Sequence, residues 1–261
     1  MREPDLGRLA RVMADLRAGC PWDREQTLET LRHFLLEESY EVLEVMNGPD
    51  IAAHCEELGD LLFQVVFQSQ IRSESGAFEL ADVVDAIADK LIFRHPHVFA
   101  GETVADRDAV VRRWDELKRA EGKPQGPAGV SERFPALIRA EKVGSRAAKA
   151  GFDWPDVAGP IAKVREELAE LEEVVGTPTI PEPPRAARLH AELGDLLFAV
   201  VNVARHLGVR AEVALDDATT RFVRRFAHVE DSLRAEGRSM EDASATELDR
   251  RWEAAKDELG D

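Results

Sequence analysis

Apolar residues recur along the chain at helical spacing. Leu58, Leu61, Leu62, Val65 and Val66 form an i, i+3, i+4, i+7, i+8 series, which puts them on one face of a helix. Leu193, Leu196, Leu197, Val200 and Val201 repeat that series in the second half. Segments 6–17 and 131–150, rich in Ala, Leu, Arg and Lys, also predict helix. The period-two alternation of strands is hard to find. The pattern predicts an all-α protein.

Each apolar stripe opens in the same heptapeptide, Glu57-Leu-Gly-Asp-Leu-Leu-Phe63 and Glu192-Leu-Gly-Asp-Leu-Leu-Phe198. This is one block of an ordered series written twice. In the first half the order is Gly19-Cys-Pro-Trp22, Glu37-Glu38-Ser-Tyr-Glu41, Glu57 to Asp60, Lys90 to Arg94, and Arg113-Trp114 with Lys118. In the second it is Gly151-Phe-Asp-Trp154, Glu166-Glu167-Leu-Ala-Glu170, Glu192 to Asp195, Arg221 to Arg225, and Arg251-Trp252 with Lys256. All four tryptophans fall at matching places. The duplication predicts two tandem helical bundles, residues 1–121 and 131–261, joined by the turn-rich stretch 122–130. Within each half a break separates the acidic helices: Asn47-Gly-Pro-Asp50 as a tight turn, and Gly176 to Pro184 as a longer, semi-extended excursion. Gly59 and Gly194 sit inside the predicted helices at a cost of about 1 kcal/mol each relative to Ala. Either close helix approach or room for a ligand accounts for them.

Charge narrows the function. Asp and Glu outnumber Lys and Arg by 51 to 34, a formal charge of −17, whereas general nucleic-acid binding needs a basic face. Hydrophobic residues make up 44% and charged residues 33%, a balance that can build a core. Cys20 and Cys55 suggest ordinary thiols of a reducing cytoplasm. The Arg-punctuated N-terminus has no apolar signal core, and the Leu196–Val201 run is far too short to span a bilayer. The expected protein is soluble, cytoplasmic, and a partner of neither nucleic acid nor membrane.

The acidic blocks carry the candidate chemistry. Glu57 and Asp60, like Glu192 and Asp195, lie three apart and stack on one helix face. Glu37, Glu38 and Glu41 precede the first pair; Glu166, Glu167 and Glu170 precede the second. Facing acidic helices repel unless a cation lies between them. An all-oxygen site of this kind suits Mg²⁺, with Mn²⁺ as a substitute, and does not select zinc. The Glu-x-x-His element of di-iron bundles is absent from the sequence. Downstream, Lys90 with Arg94 and Arg221 with Arg225 each share a helix face, as clamps for phosphate oxygens or as solvated charges. Trp114 with Lys118, and Trp252 with Lys256, lie one turn apart and offer a flat surface with a cation, or core packing. Trp22 and Trp154 suit core or cap positions.

The series EExxE, ExxD, K-x-x-x-R-H-P-H-V-F (Lys90 to Phe99) and R-W-x-x-x-K closely resembles the MazG family of nucleoside triphosphate pyrophosphohydrolases, over essentially the whole chain. That resemblance implies a tandem all-α fold, a homodimer formed through helices, and Mg²⁺-dependent hydrolysis of (deoxy)nucleoside triphosphates to monophosphate and pyrophosphate. It implies metal ligation by Glu167, Glu170, Glu192 and Asp195, and in the first half by Glu38, Glu41, Glu57 and Asp60. Together with Glu166, the second-half set forms the expected catalytic group. Nucleotide contacts are expected on Lys163, Glu166, Arg221, Arg225 and Trp252. Two other readings stay open: a sibling pyrophosphatase acting on dUTP or phosphoribosyl-ATP, and an interaction scaffold for a basic partner.

The halves are not equivalent. Lys163 lies three residues before Glu166, where it can reach a phosphate; the matching residue in the first half is Phe34, which cannot. The second half is therefore the expected main catalytic site. Against this, Arg221 stands where the family pattern has a lysine, whereas Lys90 keeps it.

Overall fold

The structure is a computed structural model describing residues 5–103, 105–120, 126–177 and 183–260, with the side chains of 108, 111, 112, 115 and 118–120 outside that description. Among the described residues every regular element is helical. The chain divides into two compact units, Met1–Glu121 and Gly122–Asp261.

In the first unit, α1 (Leu6–Gly19) opens on Asp5, whose carboxylate accepts from the Arg8 N–H at 2.7 Å. A short helix α2 (Pro21–Glu25) follows, with Pro21 in its first turn. The acidic helices are α3 (Leu31–Val45) and α4 (Ile51–Glu74). Between them the predicted turn at 47–50 is present. Asp50 ends it by accepting from the Ala52 and Ala53 N–H groups, both at 3.0 Å. Met13, Leu31, Val66 and Phe67 form the buried core, with Leu9, Leu16, Phe34, Phe63 and Ile71 packed around it. Each fully buried side chain of this size contributes about 1.5–3 kcal/mol. Beyond α4 come α5 (Leu80–Arg94), the one-turn α6 (Pro96–Phe99) and α7 (Arg107–Ala120).

The second unit opens with described residues from 126 onward. Residues 126–130, expected in the linker, form a 3-10 turn at Pro127–Gly129 followed by buried Val130, and Arg146 donates to the Gly126 carbonyl. The predicted helix over 131–150 starts only at Ala136, as α8 (Ala136–Lys149). Pro135 holds the chain extended just before it and disfavours helix at Phe134. The acidic pair here is α9 (Ala158–Gly176) and α10 (Pro184–His206), which pack on each other more extensively than any other two helices among the described residues. Most of the predicted excursion between them, 178–182, lies outside the described residues. A closing hairpin joins α11 (Ala211–Ala235) to α12 (Ala245–Leu259) around Val229, Leu233 and Ala255.

The apolar stripes do not turn wholly inward. Val66 and Val201 are buried, but Leu58, Leu62 and Val65 are exposed, as are Leu193, Leu197 and Val200. Phe63 and Phe67 carry the core side of α4, leaving the other edge of the stripe exposed. Gly59 and Gly194 give a related correction. A Cβ at either would meet nothing within 4 Å, so helix approach within the chain does not demand a glycine.

Candidate active site: two carboxylate nests

The helix pairs bring the predicted acids together. Glu38 and Glu41 on α3 meet Glu57 on α4, with one ligand atom of each lying within 4.8 Å of the others. Glu167 on α9 meets Glu192 and Asp195 on α10 within the same limit. The fourth member of each set is close by. Asp60 acts electrostatically on both Glu38 and Glu57, and Glu170 shares a hydrogen bond with Glu192. Helical spacing explains the convergence, since acids three or four apart share a face that the hairpin turns toward its partner.

Crowding perturbs these groups as expected for carboxylates lacking a counter-charge. Desolvation first, then a hydrogen bond with Glu41 and the charges of Asp60, Glu41 and Glu37, hold the Glu38 carboxyl above its ordinary range. Desolvation and the charges of Glu41 and Asp60 raise Glu57 in the same direction. In the second nest Glu170 is raised by desolvation and by Glu167 and Glu192, with Lys163 opposing. In each hairpin three carboxylates converge as a hard-oxygen donor set, and they fit Mg²⁺ or Mn²⁺.

The nests differ in one resident cation. Lys163 donates to Glu166 at 2.9 Å and lies 2.5 Å from Glu167, whose side chain is only 5% exposed. Phe34 instead meets the Trp22 ring edge-on, with centroids 5.7 Å apart, and packs on the core. Glu37 is exposed and faces His33. Trp22 itself is half exposed, while Trp154 lies so close over Gly159 that a Cβ there would sit 2.2 Å from its indole.

The expected phosphate clamps are placed less directly. Arg221 and Arg225 lie on α11, which packs chiefly on α12 and α8 and only lightly on α10. Among the described residues no hydrogen bond or ion pair joins Arg221 to the second nest. Trp252 packs against Phe222 at 5.0 Å and against the Val229–Leu233 cluster, and Lys256 donates to Glu253 at 2.6 Å. In the first unit the Arg94 guanidinium lies 5.8 Å from the Trp114 ring, and Lys90 lines a shallow depression with Phe78 and Ile87. The Lys118 side chain lies outside the described residues.

Sequence reading missed the clamps that hold each acidic hairpin. Arg17 pairs with Glu74 through two bonds at 2.8 and 2.5 Å, and donates to the carbonyls of Asp23, Arg24 and Gln26. In the second unit Asp153 accepts from Arg205 at 2.9 and 2.5 Å and faces His206 at 3.0 Å. Arg205, with His206 and the Trp154 N–H, holds the Asp153 carboxyl well below the usual carboxylate range. Partners 57 and 52 residues apart leave no local spacing to find.

Comparison with known proteins agrees with the duplication. The model of the MazG nucleotide pyrophosphohydrolase domain matches residues 26–99 and again 159–233, spans that hold both nests. A protein of Escherichia coli K12 named "Nucleoside triphosphate pyrophosphohydrolase" is 42% identical over 258 residues, covering 96% of this chain and 97% of its own length. One of Thermotoga maritima named "Nucleoside triphosphate pyrophosphohydrolase/pyrophosphatase MazG" is 40% identical over 253 residues, 95% and 94% of the two chains. A Mycobacterium tuberculosis protein named "Nucleoside triphosphate pyrophosphohydrolase" is 40% identical over 144 residues, 54% of this chain and 44% of its own. With the family's domain found twice and both acidic pairs converging as its motif requires, the chain belongs to the MazG nucleotide pyrophosphohydrolase family.

Proposed function

We propose that the protein hydrolyses (deoxy)nucleoside triphosphates to monophosphate and pyrophosphate with Mg²⁺, accepts several bases, and serves to cleanse the nucleotide pool of the cytoplasm. The carrying observation is the convergence of Glu167, Glu192 and Asp195 within 4.8 Å beside Lys163, in a chain whose relatives bear the name of that activity.

Glu167, Glu170, Glu192 and Asp195 would hold the metal. Mg²⁺, when bound, supplies positive charge that neutralises the triphosphate and makes its α-phosphorus more electrophilic. The remaining work falls to side chains of the chain. Lys163, on the face of α9 that carries Glu166 and Glu167, reaches a phosphate oxygen as a point charge. Arg221 and Arg225 clamp further oxygens, and Trp252 with Lys256 takes the base end. Glu166, whose side chain is 56% exposed at the rim, accepts the proton of the attacking water. The water oxygen bonds to the α-phosphorus, the α–β bridging bond breaks in line, and pyrophosphate leaves.

A homodimer completes this reading. The exposed edges at Leu58, Leu62 and Val65 and at Leu193, Leu197 and Val200 are apolar helix faces of the kind a second copy covers. The open space at Gly59 and Gly194 fits an approach by ligand or partner beside the acids. A panel of nucleoside and deoxynucleoside triphosphates, assayed with and without Mg²⁺, tests the proposal. Mg²⁺-dependent release of pyrophosphate is expected; release of orthophosphate, or turnover indifferent to chelator, would sink it.

A further inference from the structure

Among the described residues the second nest contains a cation for which no counterpart is seen in the first, and this cation lies against carboxylate oxygens of the nest. Lys163 Nζ lies 2.5 Å from Glu167 Oε1 and 2.9 Å from Glu166 Oε1. Glu167 is buried, and its acidic neighbours Glu192 and Asp195 add repulsion. A carboxylate so withdrawn from water is stable as an anion only with a positive group in contact. In the first nest the matching side chain, Phe34, is spent on the hydrophobic core. A divalent ion entering the second nest therefore competes with an ammonium already in place; one entering the first does not.

We propose that Lys163 is a resident counter-ion that makes metal binding at the second nest conditional on polyphosphate. Phosphate oxygens draw the ammonium from Glu167, and the vacated carboxylate then serves the metal. The inference deepens the pyrophosphohydrolase reading and rests on it. Linkage makes the effect reciprocal: the metal tightens polyphosphate by the factor through which polyphosphate tightens the metal. The second nest stays poorly metallated until substrate arrives, while the first takes metal whether or not nucleotide is present. Charge neutrality in the empty site and phosphate capture in the filled one thus fall to the same ammonium.

Mn²⁺ binding to the full chain, followed by the paramagnetic resonance signal of unbound Mn²⁺, tests this without reference to turnover. Glu38→Gln with Glu57→Gln silences the first nest. On that background an α,β-methylene triphosphate analogue should tighten Mn²⁺ binding about tenfold. Lys163→Met should tighten nucleotide-free Mn²⁺ binding about tenfold, leaving the analogue little further effect. Lys163→Arg, which keeps the charge, should bind like the parent; Lys163→Gln replaces the methionine variant if circular dichroism shows lost helix. Mn²⁺ binding no tighter in the neutral variants, with the analogue effect intact, overturns the counter-ion role alone. No Mn²⁺ bound in any variant, with or without analogue, overturns the metal site and the hydrolytic reading with it.

Discussion

The two nests have the same acids on the same kind of helix pair, yet they balance charge differently. In the first, Glu38, Glu41 and Glu57 crowd together beside an aromatic ring, and Glu38 and Glu57 respond by holding protons more tightly. In the second, Lys163 stands at the place of that ring and lies against the buried Glu167. The two halves share the helix pair and the acids, while this one position differs between hydrophobic core and charge. The difference teaches that a metal site is defined as much by what occupies it without the metal as by its ligands.

The largest expected effect separates the halves as catalysts. Glu167→Gln should lower pyrophosphate release about a hundredfold or more, whereas Glu38→Gln should leave most of it. Equal losses would break the asymmetry.

A second contrast concerns the clamps, in which the halves place the cation on opposite partners. Arg17 reaches forward from α1 to Glu74, while Arg205 reaches back from the end of α10 to Asp153. Arg17→Ala leaves three carbonyls without this donor and should cost about 2–3 kcal/mol in urea unfolding. Arg205→Ala leaves Asp153 with His206 and should cost about 1–2 kcal/mol. A larger loss in the second unit would reverse the ranking.

Smaller effects come from the helix glycines. Gly59→Ala and Gly194→Ala should each stabilise the metal-free protein by about 0.5–1 kcal/mol, because neither Cβ meets a neighbour in the chain. Gly194→Ala should also reduce kcat/KM, and Gly59→Ala should not. Unchanged kinetics in both would remove the ligand as the reason for these glycines.

The smallest effect is on pH. Glu38 and Glu57 have folded-state pKa values above their ordinary 4.5. The native state therefore binds more protons in that window, so their contribution to stability declines as pH rises through the raised values. Saturating Mg²⁺ should flatten this decline and release protons, which calorimetry in buffers of different ionisation enthalpy measures. The network at Glu247 has the opposite sign. Arg238 and Arg251 hold its carboxyl down to about 2. That stability is complete above the ordinary 4.5 and is lost as pH falls toward 2.

Much of this was legible in the chain itself. The period of the apolar positions revealed helices, and repetition of five blocks revealed two units. Spacing placed Glu192 beside Asp195, and the companion helix supplied Glu167. The contrast of Lys163 with Phe34 was readable once the halves were aligned, but not that the lysine rests on the buried Glu167. Helix starts were blurred where Pro135 delayed α8. The outward edge at Leu58 and Leu193 looked like core because periodicity reports a face, not what covers it. The Arg17 and Arg205 clamps join residues too distant in sequence for any local pattern.

The connectors between the acidic helices differ, a tight turn at 46–50 and a longer stretch of chain at 177–183, yet each hairpin gathers three carboxylates. A short joint and a long one are both compatible with that gathering. A reporter inserted between α9 and α10 should therefore leave Glu167, Glu192 and Asp195 gathered as before.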